Sequence, residues 1–138
     1  MFNVVSELNW LAILAATAAL TVVGGLWFTV IFGKAYAVAL GREKQNAAKP
    51  GALFIVGPMV CSLVTVVAAS ILIYAFKIES IADALAFGVV VGFGFLAATT
   101  VNTAINPAIP RPLFYGLISG SYFFVSGLVA SFILVALR

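Results

Sequence analysis

The charged residues of this chain stand far apart, and the gaps between them dictate what it can fold into. They fall at Glu7, Lys34, Arg42, Glu43, Lys44, Lys49, Lys77, Glu79, Asp83, Arg111 and Arg138, leaving uncharged runs over 8–33, 50–76, 84–110 and 112–137. Each run exceeds the roughly 20 residues that cross about 30 Å of hydrocarbon as a helix. With 64% of 138 residues hydrophobic and 8% charged, against about 25% charged in soluble domains, polar surface is too scarce to wrap so apolar a core. That excludes a water-soluble fold. Backbone amides in hydrocarbon must be satisfied within their own segment, so open runs of this length are helices. The chain is therefore predicted to be all-α and integral to a membrane. It forms one domain over 1–138, an antiparallel four-transmembrane-helix bundle with spans near 8–33, 52–76, 84–106 and 112–137.

Short connections put the two termini and the 77–83 loop on one side and the 34–49 and 107–111 loops on the other. Lys77 and Arg138 fall on the first side; Lys34, Arg42, Lys44, Lys49 and Arg111 fall on the second. By the positive-inside rule the second side is cytoplasmic and both termini lie outside. The same rule accounts for the net charge of +3 without nucleic acid. Trp10 and Trp27 are about 26 Å apart along a helix, a spacing that suits anchors at the two interfaces, with Lys34 and Tyr36 beyond the second. The stretch before the first run, Met1–Glu7, carries no basic residue, and the run is longer than a 7–15-residue signal core, so this span is expected to be retained. Cys61 has no second cysteine to pair with.

Ser80-Ile81-Ala82-Asp83 reads as a capping box opening the third helix, which makes Glu79 and Asp83 first-turn acids before it makes them a carboxylate site. Pro107, Pro110 and Pro112 give a rigid reversal, with the fourth helix starting near Pro112. The stretch 41–51 is polar enough to lie wholly in water.

Lipid tails are as apolar as leucine, so membrane helices associate through small residues and interhelical hydrogen bonds. On the third span Gly88, Gly92, Phe95, Thr99, Asn102 and Asn106 follow at steps of three and four, with Thr103 beside them; on the fourth, Gly116, Gly120, Phe123, Gly127 and Ala130 do the same. Thr17, Thr21, Gly24 and Phe28 form a line on the first span, and Pro58, Ser62, Thr65 and Ala69 on the second. These spacings predict one packing face per helix. The polar stripe Thr99, Asn102, Thr103 and Asn106 either bonds to facing helices or lines a vestibule for a substrate or lipid head group. Tyr122, near mid-membrane, is read the same way, first as a bundle hydrogen bond.

There is no histidine, and no ionisable acid or base inside any run, which argues against proton relays and ion-coupled transport. Ordinary zinc or haem ligation cannot be assembled, and no base stands beside a nucleophile. No cofactor and no enzyme activity are expected. Gly92-Phe93-Gly94-Phe95-Leu96-Ala97 matches a dinucleotide fingerprint only in letters, since no strand precedes it.

Asn9-Trp10, Gly24-Gly25-Leu26-Trp27-Phe28, Phe32-Gly33-Lys34-Ala35-Tyr36 and Leu40-Gly41 occur in an order that resembles a bacterial family of small membrane proteins, domain of unknown function one-seven-six-one. Gly94-Phe95 followed by Ala98-Thr99-Thr100, and the Ser119–Ser126 stretch around Tyr122, look similar too. The chain departs at Phe28, where the family pattern has Tyr, and at Tyr36, where it has Trp. The resemblance implies a bacterial cytoplasmic-membrane location and four helices, and no known activity. Besides the lipid bilayer, the expected partners are further copies of the chain or other membrane subunits, met through the small-residue seams. The alternative is a passive channel or small-solute or lipid carrier that uses the polar stripe.

Overall fold

The structure, a computed structural model, describes residues 2–44 and 51–138; Lys49 and most of the polar 41–51 stretch lie outside the described residues. Four helices are long and apolar enough to cross a membrane: α1 (Trp10–Ile31), α3 (Ala52–Ala75), α4 (Ile81–Ala104) and α5 (Pro112–Ala136). A short helix, α2 (Gly33–Ala39), follows α1, and a 3-10 turn (Phe2–Glu7) precedes it.

Local chemistry fixes the ends. Asn9 caps α1, its side-chain oxygen accepting from the Ala12 amide at 3.1 Å while its Nδ2 donates to the Leu137 carbonyl at 2.6 Å. The Ser80 hydroxyl accepts from the Asp83 amide at 3.0 Å and donates to the Asp83 carboxylate at 2.7 Å, while Glu79 lies 4.0 Å from Arg138. The two acids are thus engaged separately. Pro112 opens α5, where its missing amide costs no bond.

α5 is the hub. Buried residues make up 56% of its most apolar stretch, against 11% for α3. Asn9 meets the end of α5 whereas Trp27, late in α1, meets Ile118 near its beginning, so α1 and α5 pass head to tail. The same holds for α4, whose Gly88 lies against Gly127 while Ala104 lies against Gly116. The aliphatic core, including Ile13, Val66, Ile73 and Leu134, fills the half of the bundle nearest the start of α1. In lipid its contribution is close packing of van der Waals surfaces rather than escape from water. α3 joins this core chiefly through its second half, at Val66, Ala69 and Ile73, with Leu63 half-buried beside them; none of residues 52–65 is fully buried.

Three sequence expectations need correction. The 34–49 segment is not wholly loop: Phe32 (φ −114°, ψ 12°) breaks the helix, and α2 then packs back, burying Ala39. Trp27 is half-buried against α5 while Trp10 is 56% exposed, so only Trp10 has the exposure of an interface anchor. The third correction is the face of α4. Gly88, Gly92, Ala97, Val101 and Ala104 meet α5, whereas Phe95, Thr99, Asn102 and Asn106 are exposed. The cause is a π-helical stretch, Val90–Ala97. Its wider turn makes the step from Gly92 to Ala97 five residues, which advances the following face by one position and turns the stripe outward.

Candidate functional site: a groove between the third and fourth spans

Because the π turn rotates the stripe off the seam, Thr99 and Thr103 emerge beside α5 rather than beneath it. With Phe95, Leu96, Thr100, Tyr115 and Phe123 they line an open groove of about 420 Å³, within the size range of small-molecule sites. The Thr100 hydroxyl donates to the Leu96 carbonyl at 2.8 Å and that of Thr103 to the Thr99 carbonyl at 2.9 Å. Threonines bonded back to their own helix keep their lone pairs free, so both present acceptors to the groove. The other two members of the stripe lie elsewhere. Asn106 accepts from the Ala108 amide at 2.9 Å and shapes the turn, and Asn102 is exposed outside the groove lining. Among the described residues none of the four makes the bond to a facing helix that one reading of the stripe required.

A second space of about 100 Å³ lies where the first half of α3 stands off the bundle; its polar lining includes Ser62, Thr65, Ser126 and Ser131. Leu96 and Phe123 border both spaces.

The closing wall is aromatic. A π turn at Trp27–Ile31 carries Trp27 and Phe28 towards α5. The Trp27 indole donates to the Ile118 carbonyl at 3.0 Å, and its ring lies 4.8 Å from Phe32 and 6.3 Å from Tyr122. Phe28 packs on Tyr122 at 5.1 Å and Tyr36 at 4.9 Å, and Tyr36 packs on Tyr115 at 5.5 Å. Tyr122, buried, donates to the Leu20 carbonyl at 3.1 Å. Gly24 makes that approach feasible: a Cβ there would sit 2.9 Å from the Tyr122 hydroxyl. Burial, and after it the Tyr115 phenol, push the Tyr36 hydroxyl above its ordinary pKa, which keeps Tyr36 neutral.

The predicted helix-packing glycines all lie on the α4–α5 seam. Cβ atoms at Gly88 or Gly92 would meet the Gly127 or Phe124 carbonyl at 2.9 and 2.8 Å, and Gly116 and Gly120 face Val101. Charge collects at the same end as the groove, where Arg111 pairs with Glu43 at 3.6 Å and Pro110 packs on Gly41 (φ 65°). Lys34, Arg42 and Lys44 are exposed.

The model of one protein family, Protein of unknown function (DUF1761), matches residues 11–135. The chain belongs to this family. No curated protein and no solved structure matches it. The residues whose order resembles the family, Gly24 to Phe28 and Phe32 to Tyr36, are those that build the aromatic wall. Their spacing carried a signal, but sequence reasoning placed Trp27 and Tyr36 at a lipid interface because it had no means of seeing the second π turn. Phe28 and Tyr122 meet in a T-shaped ring contact, which asks for no hydroxyl on Phe28. Among the described residues no cluster of three potential metal ligands occurs.

Proposed function

We propose that this protein is a non-enzymatic, multi-pass protein of the bacterial cytoplasmic membrane that takes a small solute or lipid into the groove between α4 and α5. The observation that carries this reading is the π turn at Val90–Ala97, which places Thr99 and Thr103 in an open groove instead of a packed seam. π-bulges recur at functional sites because they cost a helix regular hydrogen bonding. The glycine seams, which motivated association with other chains, are used inside the molecule. The test is native mass spectrometry of the protein released from its own membrane. A small molecule should remain bound to the wild type and be lost from the double substitution Thr99→Leu, Thr103→Leu, while Asn102→Leu keeps it. Equal retention by all three removes the groove from consideration.

A second reading is favoured by one observation: none of residues 52–65 of α3 is fully buried, and most of them are exposed. On this reading that face meets another copy or another membrane subunit. Crosslinking from mild detergent through a cysteine at Leu53 should capture a partner, and a strictly monomeric product removes this reading.

A further inference from the structure

We infer that the groove holds an anionic lipid of the phosphatidylglycerol class, its phosphodiester and glycerol head at the mouth beside Thr99, Thr103 and Tyr115 and an acyl chain past Leu96 and Phe123. This rests on the groove reading above and adds the chemistry of the ligand. Polarity changes in the same sense along both walls. On α4 the lining runs from Thr103 to Phe95 and on α5 from Tyr115 to Phe123, each about 12 Å of helix from hydroxyl to hydrocarbon. Phe95 is 64% exposed and Phe123 36%, so the apolar part opens sideways, towards lipid. A solute polar throughout leaves the inner part unmatched, and a hydrocarbon leaves the hydroxyls unmatched. An amphiphile with its head near the end of α4 at Ala104 matches both.

Charge at the mouth selects the head group. No charged side chain lines the groove itself, but two arginines stand beside its outer end. Arg111 lies one turn before Tyr115, whose amide donates to the Arg111 carbonyl at 2.9 Å. The Arg42 charge reaches the phenol of Tyr36, whose ring lies 5.5 Å from that of Tyr115. Among the described residues this end carries Lys34, Arg42, Lys44 and Arg111 against Glu43 alone. That balance draws a phosphate and disfavours the ammonium of a zwitterionic lipid. The hydroxyls refine the choice. Thr100 and Thr103 donate to helix carbonyls and so offer acceptors. Among the described residues Thr99 and Tyr115 donate to no carbonyl, and their protons remain for a ligand. A phosphodiester oxygen accepts from these two, and the free hydroxyls of a glycerol head donate to the other two.

The experiment uses the full chain in phosphatidylcholine nanodiscs doped with phosphatidylglycerol that bears a diazirine in one acyl chain. Photolabel is expected to saturate and to fall on the peptides containing Leu96 and Phe123. Unlabelled phosphatidylglycerol should compete, with phosphatidylethanolamine at least about tenfold weaker and phosphatidylmethanol, which keeps the anion but lacks the glycerol hydroxyls, about fivefold weaker. Soluble glycerol 3-phosphate should not displace the label. Thr99→Val, Tyr115→Phe and Arg42→Gln should each weaken phosphatidylglycerol by about fivefold, and Asn102→Leu should leave it unchanged. Thr99 is exposed, so Thr99→Val keeps the fold. Equal competition by phosphatidylethanolamine overturns the anionic assignment, and equal competition by phosphatidylmethanol overturns the glycerol assignment, while the groove stands in both cases. Displacement by glycerol 3-phosphate overturns the lipid in favour of a free phosphate. Indifference to all three substitutions marks ordinary crowding of anionic lipid at a basic end and overturns the proposal. Labelling that does not saturate, or that maps elsewhere, overturns the groove itself.

Discussion

Gly24 and Tyr122 form a pair whose terms can be separated. Alanine at 24 gains about 1 kcal/mol of helix propensity, yet its Cβ would lie 2.9 Å from the Tyr122 hydroxyl and 3.2 Å from Cζ. Forced repacking costs about 1–3 kcal/mol, and losing the bond to Leu20 adds about 1. Gly24→Ala should therefore destabilise by about 1–3 kcal/mol, and by less in a Tyr122→Phe background; thermal unfolding of the four proteins in one detergent measures the coupling. Tyr36 gives a pH signature. Its phenol titrates higher in the folded protein than the ordinary value of about 10. The folded state thus holds a proton the unfolded state loses, so its stabilising contribution is complete below pH about 10 and declines above it. Melting curves between pH 9 and 11 should fall more steeply for wild type than for Tyr36→Phe, and parallel curves would count against it. Sequence marked Tyr122 as a bundle hydrogen bond, but nothing in the letters named its acceptor, because a carbonyl bared by a glycine one turn on is visible only once two helices cross.

For α4 the same glycine letter has opposite meanings within a few positions. Gly92 and Gly127 meet backbone, with a Cβ at 127 only 2.5 Å from the Gly92 Cα, whereas Gly25 and Gly94 have nothing within 4 Å. Backbone cannot rotate aside, so Gly127→Ala should cost about 3 kcal/mol or prevent assembly, while Gly94→Ala and Gly25→Ala should be neutral to about 1 kcal/mol stabilising. A folding assay on the three decides it. The π stretch makes a sharper prediction. Deleting Gly94 shortens the five-residue step from Gly92 to Ala97 to four, which is α-helical spacing, and so leaves Ala97, Val101 and Ala104 against α5. This deletion should fold, whereas deleting Val101 should not; melting temperatures in detergent compare them. Helix existence and the glycine contacts were legible because length, apolarity and spacing are properties of letters. The face after Gly92 was not. Period counting assumes a constant turn, and one extra residue carries every later position round by about 100°.

Across the whole molecule the charges sort into two ends. Glu43, Arg111 and the turn at Pro110 share one; Asn9, Glu79 and Arg138 share the other, where Arg138 also donates to the Ile78 carbonyl at 2.8 Å and covers the Tyr74 ring at 4.4 Å. If the basic end faces the cytoplasm, a fluorescent protein that matures only there should stay dark when fused after Arg138; a bright fusion would reverse the orientation. That two ends exist was readable from charge alone, while the contacts that hold them were not. The hub position of α5 has a further consequence for biosynthesis. α4 takes its packing from α5, and α1 meets α4 chiefly through it, yet α5 is the last of the four spans to leave the ribosome. Until it does, the earlier helices wait in the membrane with their glycine and hydroxyl faces uncovered. Docking of α4 is thus deferred until α5 has emerged, and that interval is when a nascent chain of this design is most open to capture by an insertase or a protease.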